Sequence, residues 1–463
     1  MKRSLKIALV AALPIVSAAC NDFLTGGELE NDPNRPTVAE PSQYFLAVQS
    51  RTWTFQTGQW ARLVCMWMQQ CTGTDRQYTS LGVYEVSEGI FDGSFNEIYA
   101  GGGLNDIKQM KAAAQSSGDL IFVGVAQVLE ALMIGTAADL FGDVPYSEAA
   151  SGIGGAGPVI ATPKLDDQAA VYAAIQTLLD EAIDNLGSGE GSGPGSADFV
   201  YGGDPDAWTE LAYTLKARFY MHTAETTPGN YALALAAAAN GISSSANDYV
   251  TVHSGAAGEA NLWYQFIEEQ RQDYISPGAF LLDSILEART DPRLDEYFDK
   301  RTPTAPWEGA TPGSALTNTT SRFDADRIDQ AASQPIVTYV ENLLIQAEAA
   351  YRTNDQVTAL ARLNAARATD GLGPVALAGA ALLNEIMIEK YIQLFQQLEV
   401  WNDWKRTCVP NLTPALTAAE IPRRFIYPTS ERQTNPNIPL PSAQPTRNDN
   451  DPTNAGCRGQ TIG

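Results

Sequence analysis

Residues 120–141 read LIFVGVAQVLEALMIGTAADLF, an apolar run whose polar positions are Gln127, Glu130, Thr136 and Asp139. Such a run is long enough to cross a bilayer. Its polar and charged groups are poorly tolerated by lipid, however, so it reads as a helix buried on every side within a larger helical body. It stops at Gly142 and Pro145, as a helix terminus should. A helix this apolar needs other helices around it, and the flanking sequence supplies them.

Val171, Ile175, Leu178, Leu179, Ala182 and Ile183 fall on one face of a helix predicted over 167–186. Trp208, Leu211, Ala212, Leu215 and Phe219 do the same over 205–224. The stretch GSGEGSGPG between them, Gly187 to Gly195, is a flexible surface connection; it lacks the Gly-Lys-Ser/Thr ending that cradles phosphate. Over 335–368, one stripe of Ile336, Val340, Leu343, Leu344, Ala347 and Tyr351 precedes a second of Val357, Leu360, Ala361 and Leu363. With Asn354 and Asp355 between them they form a helical hairpin that looks like a degenerate tetratricopeptide unit, and the helices at 167–186 and 205–224 form a candidate second pair. A long helix over 381–405 is expected to bury Leu383, Met387, Tyr391, Leu394, Leu398 and Trp401, and the Pro- and Asn-rich tail after it must wrap the surface. No series of alternating strands stands out, so the fold class is mostly α.

Composition agrees. Across 463 residues, 44% are apolar and 18% charged, which suits a globular chain with a large core. Acidic side chains outnumber basic ones 54 to 30, the net charge is -24, and no segment concentrates Lys and Arg. That balance argues against nucleic acid and anionic lipid surfaces as partners.

The N-terminus differs from the rest. Lys2, Arg3 and Lys6 precede an apolar run from Ile7 to Val16, then Ser17, Ala18, Ala19 and Cys20. This is an export signal, 1–19, with cleavage expected before Cys20. Small residues followed by cysteine resemble a bacterial lipoprotein signal, which implies a lipid on Cys20; the usual leucine three positions earlier is here Ser17. The alternative is an ordinary signal peptide with a coincidental cysteine. Residues 20–463 are then one exported domain.

In an exported chain the four remaining cysteines suggest disulfides, and local closure favours Cys65 with Cys71 and Cys408 with Cys457. An unbroken helix would hold Cys65 and Cys71 roughly 9 Å apart along its axis, too far to bridge. A break between them is required. Metal binding is disfavoured, since there is no CxxC pair and His222 and His253 are the only histidines. His222 reads as a packed or capping helix residue, and no nucleophile or cofactor motif stands out.

Several phrases, in order, resemble one family, the SusD/RagB-like nutrient-binding lipoproteins of bacterial outer membranes. They are Asn21-Asp22-Phe23-Leu24 and Asn31-Asp32-Pro33-Asn34 after the lipidation cysteine, and Asp139-Leu140-Phe141-Gly142-Asp143-Val144-Pro145-Tyr146-Ser147-Glu148-Ala149 at the end of the apolar helix. Trp401-Asn402-Asp403-Trp404-Lys405-Arg406-Thr407 and Ile421-Pro422-Arg423-Arg424-Phe425-Ile426-Tyr427-Pro428 complete the set. The resemblance implies a tetratricopeptide-like helical scaffold with long irregular loop insertions that build a ligand surface. It also implies a partner, a SusC-like TonB-dependent transporter of the outer membrane, to which a glycan or peptide nutrient is passed, and a surface-exposed location. Within these phrases Asp139 and Asp143 read as carboxylates that satisfy turn amides. A calcium site would need six to eight oxygens from a spaced acidic loop. Arg423 and Arg424 read as ties between the tail and the helical body.

A sugar offers an apolar ring face and a hydroxyl rim, so its site needs flat aromatic faces beside hydrogen-bonding groups. Two stretches offer them. The first is Trp53, Phe55, Trp60 and Trp67 before Thr72-Gly73-Thr74-Asp75-Arg76-Gln77-Tyr78; the second is Asn261-Leu262-Trp263-Tyr264 with Gln265, Arg271, Asp273 and Tyr274. The seven-residue spacing of Trp53, Trp60 and Trp67 also fits a core stripe, the favoured reading for Trp53 and Trp67, with Trp60 divided between core and ligand. The expected ligand residues are Trp60, Asp75, Arg76, Tyr78, Asn261, Trp263 and Tyr264, with a surface aromatic covering a loop as the alternative for Tyr78 and Trp263. Two other classes remain open: a lipid-anchored helical scaffold that binds proteins only, and a helical glycoside hydrolase, which needs two carboxylates flanking a cleft.

Overall fold

A computed structural model describes residues 39–153, 157–416, 418 and 420–452; the predicted leader, Cys20 and Cys457 lie outside them. The chain opens with α1 (Pro41–Thr57), α2 (Gln59–Trp67), α3 (Arg76–Gly82), α4 (Asp92–Tyr99) and α5 (Leu104–Ser117). The apolar run is α6 (Leu120–Phe141), and 94% of its most apolar window is buried inside the protein, so it is a core helix. Asp119 caps its start by accepting from Phe122 N, and the chain leaves it at Gly142, φ 75°.

Around α6 the helices pack in sequence: α5 and α7 (Gln168–Leu186) lie against it, α8 (Pro205–Thr223) packs on α6 and α7, and α9 (Asn230–Ala238) on α8. α10 (Tyr339–Arg352) packs on α9 and pairs with α11 (Gln356–Thr369), and α12 (Gly379–Gln393) and α13 (Glu399–Thr407) close the body. The α10–α11 hairpin is the pair expected from the apolar stripes; α7 also packs on α8, the second expected pair, but packs more extensively on α6, and α8 on α9, a helix the sequence reading missed. Gly135 explains how closely α6 and α8 approach, since a Cβ there would stand 2.1 Å from the Phe219 ring.

Two predicted boundaries move. Residues 335–337 form a strand, not the first turn of the hairpin, because Thr338 caps α10 by accepting from Glu341 N. The expected helix over 381–405 is two helices, broken where Gln396 adopts φ 67° and accepts a hydrogen bond from Arg327 Nε at 2.8 Å. The described residues also contain three two-stranded antiparallel sheets: β1 (Cys71–Gly73) with β3 (Ile275–Pro277), β2 (Tyr249–Val250) with β6 (Pro335–Val337), and β4 (Phe298–Asp299) with β5 (Arg322–Phe323).

Buried ion pairs fasten the helices to one another. Arg218 on α8 grips both oxygens of Glu341 on α10 at 2.6 and 2.5 Å. Glu348 on α10 receives Lys390 of α12 at 3.0 Å and Arg406 of α13 at 2.6 Å. His222 lies between Asp139 and Glu399, so it is packed, as expected, but ionically. Asp143 does satisfy a turn amide, that of Gln168 at 2.9 Å, whereas Asp139 does not. It sits one turn inside α6 and accepts instead from the Tyr172 hydroxyl at 2.5 Å. The tail wraps the body as predicted. Arg423 donates to Lys405 O and Asn448 to Asp139 O, whereas Arg424, expected to be a second tie, donates to Gln444 Oε1 within the tail itself.

Candidate ligand-binding site

After α2 ends at Trp67 the chain reverses through Gln69, φ 56°, and returns Cys71 to a Cα separation of 5.1 Å from Cys65, to which it is disulfide-bonded. The required helix break is present. β1 then runs antiparallel to β3, with Thr72 opposite Ser276 and Gly73 opposite Ile275. The contact extends beyond the strands: Thr74 N donates to Tyr274 O at 2.9 Å and its hydroxyl to Asp273 O at 2.6 Å. Asp273 is held in turn by Arg301 through bonds of 3.0 and 3.2 Å. Gly73 must lack a side chain, because a Cβ would fall 1.8 Å from the Tyr78 carbonyl oxygen.

This pairing brings together the two stretches that the sequence offers as separate ligand surfaces. The half-buried Tyr78 ring stands 5.0 Å from Phe266 and 6.0 Å from Tyr274, steeply inclined to both. Arg62 lies over Phe266 at 4.4 Å, and Arg271 and Arg76 lie 5.4 and 5.9 Å from the Tyr274 ring. Beside this group opens a cleft of about 250 Å³, lined by Gln59, Arg62, Ser94, Glu97, Gln265 and Phe266 among others. Amide, hydroxyl and charged groups of the cleft thus meet the Phe266 ring, with Tyr78 packed against that ring and Tyr274 beyond it, the mixture that a polyhydroxylated ring requires.

Electrostatically the cleft is asymmetric. Burial raises the Glu97 carboxyl above its ordinary range, with Arg51, 3.1 Å away, working against that. Burial lowers the Arg62 guanidinium, offset in part by the neighbouring Tyr78 hydroxyl. Arg62 Nε is buried with no hydrogen-bond partner among the described residues.

Of the expected ligand residues, Asp75 and Arg76 are exposed on the rim, where Asp75 also caps α3 by accepting from Arg76 N at 2.9 Å. Tyr264 is half-buried beside Gln265. Three expectations need correction. Trp60 is a core residue, stacked on Phe91 at 5.3 Å and tilted on Phe425 at 4.8 Å. Trp263 is fully buried with its ring 5.9 Å from that of Phe323. Asn261 is equally buried because its side chain works on the backbone: Oδ1 accepts from Trp263 N at 2.7 Å and Nδ2 donates to Ala332 O at 2.7 Å. That Asx cap turns Trp263 inward. Trp53 and Trp67 are buried, as the core stripe requires.

Arg62, Phe266, Gln59 and Ser94 escaped the sequence reading. Only Arg62 carries a signal, as the lone charge in the otherwise apolar run QWARLVCMW. The carboxylates of Asp143, Asp167 and Asp449 gather within 4.8 Å, but Asp143 and Asp167 serve the first turn of α7, by accepting from Gln168 N and from Ala169 and Ala170 N.

Comparison with known proteins adds a family. A family model described as starch-binding and associating with the outer membrane, SusD-like_2, matches residues 33–428. No curated protein sequence matches the chain. Among solved structures, a chitin-binding protein superposes with a TM-score of 0.72 at 23% identity, covering 86% of this chain and 95% of its own. A SusD/RagB family protein from Bacteroides thetaiotaomicron gives 0.69 at 22%, with coverages of 86% and 95%. A chitin-binding SusD homolog from Flavobacterium johnsoniae gives 0.71 at 20%, with coverages of 89% and 98%. At these identities the structures establish a common fold.

Proposed function

We propose, since the chain belongs to the SusD-like family described as starch-binding and associating with the outer membrane, that it captures a glycan at the cell surface and hands it to a TonB-dependent transporter. The observation that carries the reading is the β1–β3 pairing, which places Tyr78, Tyr274 and Phe266 beside a polar cleft on a rigid helical body. A half-buried aromatic group next to amides and hydroxyls holds a sugar by ring contact while pairing its hydroxyls. The lipidated Cys20 and the transporter partner belong to this reading through the leader sequence and the family.

Binding without turnover fits the cleft better than hydrolysis does. Among the lining residues Glu97 is the one carboxylate, already paired with Arg51, and a glycosidase of the usual kind needs two. Affinity electrophoresis and calorimetry against starch, chitin oligosaccharides, xylan and uronic-acid glycans test the reading, with product analysis run on each bound glycan. Binding of at least one glycan, weakened by Tyr78→Ala and without product, is expected. Failure of every glycan to bind, or conversion of one, overturns it. Gentle detergent extraction from native membranes should bring a β-barrel transporter with the protein; its absence overturns the delivery step.

A further inference from the structure

In a chain with 54 acidic and 30 basic residues, the cleft and its aromatic wall are bordered by three arginines. Arg62 lines the cleft and lies 4.4 Å over Phe266; Arg271 and Arg76 flank Tyr274. Several arginines of the helical body are taken up by carboxylates, Arg218 by Glu341, Arg293 by Asp291 and Glu389, and Arg406 by Glu348, while Arg327 and Arg424 lie over aromatic rings instead. Those bordering the cleft are of the second kind. Among the described residues neither Arg62 nor Arg271 makes an ion pair, and Arg76 has only a loose contact of 3.7 Å with exposed Asp75. Glu97, the one acid lining the cleft, is committed to Arg51. Arg62 Nε is moreover shut away from solvent with no acceptor.

The half-buried Arg62 guanidinium has the Tyr78 hydroxyl as a neighbour but no carboxylate, so it keeps the capacity to take an anion, and guanidinium matches carboxylate geometry with two parallel bonds. We propose that the cleft selects glycans bearing carboxylates, that is, uronic-acid polymers, with Arg62 taking the carboxylate inside the cleft and Arg271 and Arg76 taking acids of neighbouring sugars along Tyr274. The inference rests on the glycan-capture reading and narrows its substrate class. A peptide acid would present carboxylates too, but the aromatic wall favours a sugar ring between them.

The test uses tetragalacturonate, tetraguluronate and a hyaluronan tetrasaccharide, each beside its neutral methyl ester, and a hexaglutamate peptide. Calorimetry on the purified full chain should show at least one acid form binding tenfold or more tighter than its ester. Arg62→Gln should weaken acid binding far more than ester binding, removing most of that difference. Arg271→Gln, at an exposed position where folding is not at stake, should remove a smaller part. Esters binding as well as acids, or hexaglutamate binding better than any uronate, overturns the inference while glycan capture stands. Failure of every uronate and ester overturns the inference, and failure of starch, chitin oligosaccharides and xylan as well removes both.

Discussion

His222 Nε2 on α8 lies 2.8 Å from Glu399 Oε1 at the start of α13, and its Nδ1 lies 2.7 Å from Asp139 Oδ1 near the end of α6. One imidazole therefore joins three helices. Burial by itself would lower its pKa, but the two carboxylates outweigh that and push it up to about 9, from an ordinary 6.5.

The sign of the resulting pH dependence follows. A pKa raised on folding contributes stability that is fully present below about pH 6.5 and is lost as pH rises through 9. The shift corresponds to about 3 kcal/mol. Glu399 runs the opposite way. Burial would raise it, yet His222 and Arg218 bring it down to about 2, so its share is present above about pH 4.5 and lost as pH falls through 2. Melting temperature should therefore peak near pH 4.5 to 6.5 and fall steadily to pH 9.5. In His222→Gln the alkaline fall should flatten; an unchanged slope would refute the assignment.

Glu348 sits with no exposed surface between Lys390 and Arg406. Glu348→Gln leaves Lys390 and Arg406 sharing the single close carboxylate of Asp403, and loss of one partner from a buried pair costs about 3 to 5 kcal/mol. Urea denaturation should show a drop of that size with an unchanged slope. Double replacement of Glu348 and Arg406 by Leu and Met should recover part of it.

At the crossing of α6 and α8, Gly135→Ala should destabilise by about 1 to 3 kcal/mol, because the new methyl meets the Phe219 ring. Phe219→Leu in the same chain should relieve most of the penalty. Independent, additive losses would show that the two sites do not touch.

Tyr78→Ala and Trp263→Ala separate surface from core. The first should weaken glycan affinity about tenfold, near 1.4 kcal/mol, and leave the melting temperature within a few degrees. The second should cost about 3 to 5 kcal/mol of stability, since it empties a fully buried site against Phe323. At a temperature where that variant is folded, its affinity should stay within threefold of wild type.

Disruption of Cys65–Cys71 by paired serines should cost about 2 kcal/mol by the loop-closure argument. The larger effect should be on binding, because Cys71 begins β1 and fixes where Gly73 and Tyr78 lie. Calorimetry with the panel glycan that wild type binds reads this directly; full affinity in the variant would show that β3 alone holds the strand.

The helical frame was legible because its signals are periodic and local: the run 120–141 and the stripes over 167–186 and 205–224 repeat within a few turns, whereas the Asp119, Asp167 and Asp204 caps that start those helices went unread. The site was half legible. Tyr78, Arg271 and Tyr274 stood out as an aromatic and polar group among turn residues, but strands of three residues leave no alternation to read, so their convergence through β1 and β3 was invisible. Trp263 misled for a related reason. Its polar neighbours suggest exposure, while the Asn261 cap that buries the ring is satisfied by Ala332, far along the chain.

The pairing of β1 with β3 also sets an order of events. Tyr78 is made early in synthesis, whereas Phe266 and Tyr274 follow only after α6 to α9. A chain stopped at Gly203 would carry one wall of the cleft and none of the other. The cleft is therefore complete only in a finished molecule, and a truncated copy would have half of its lining and no enclosed space.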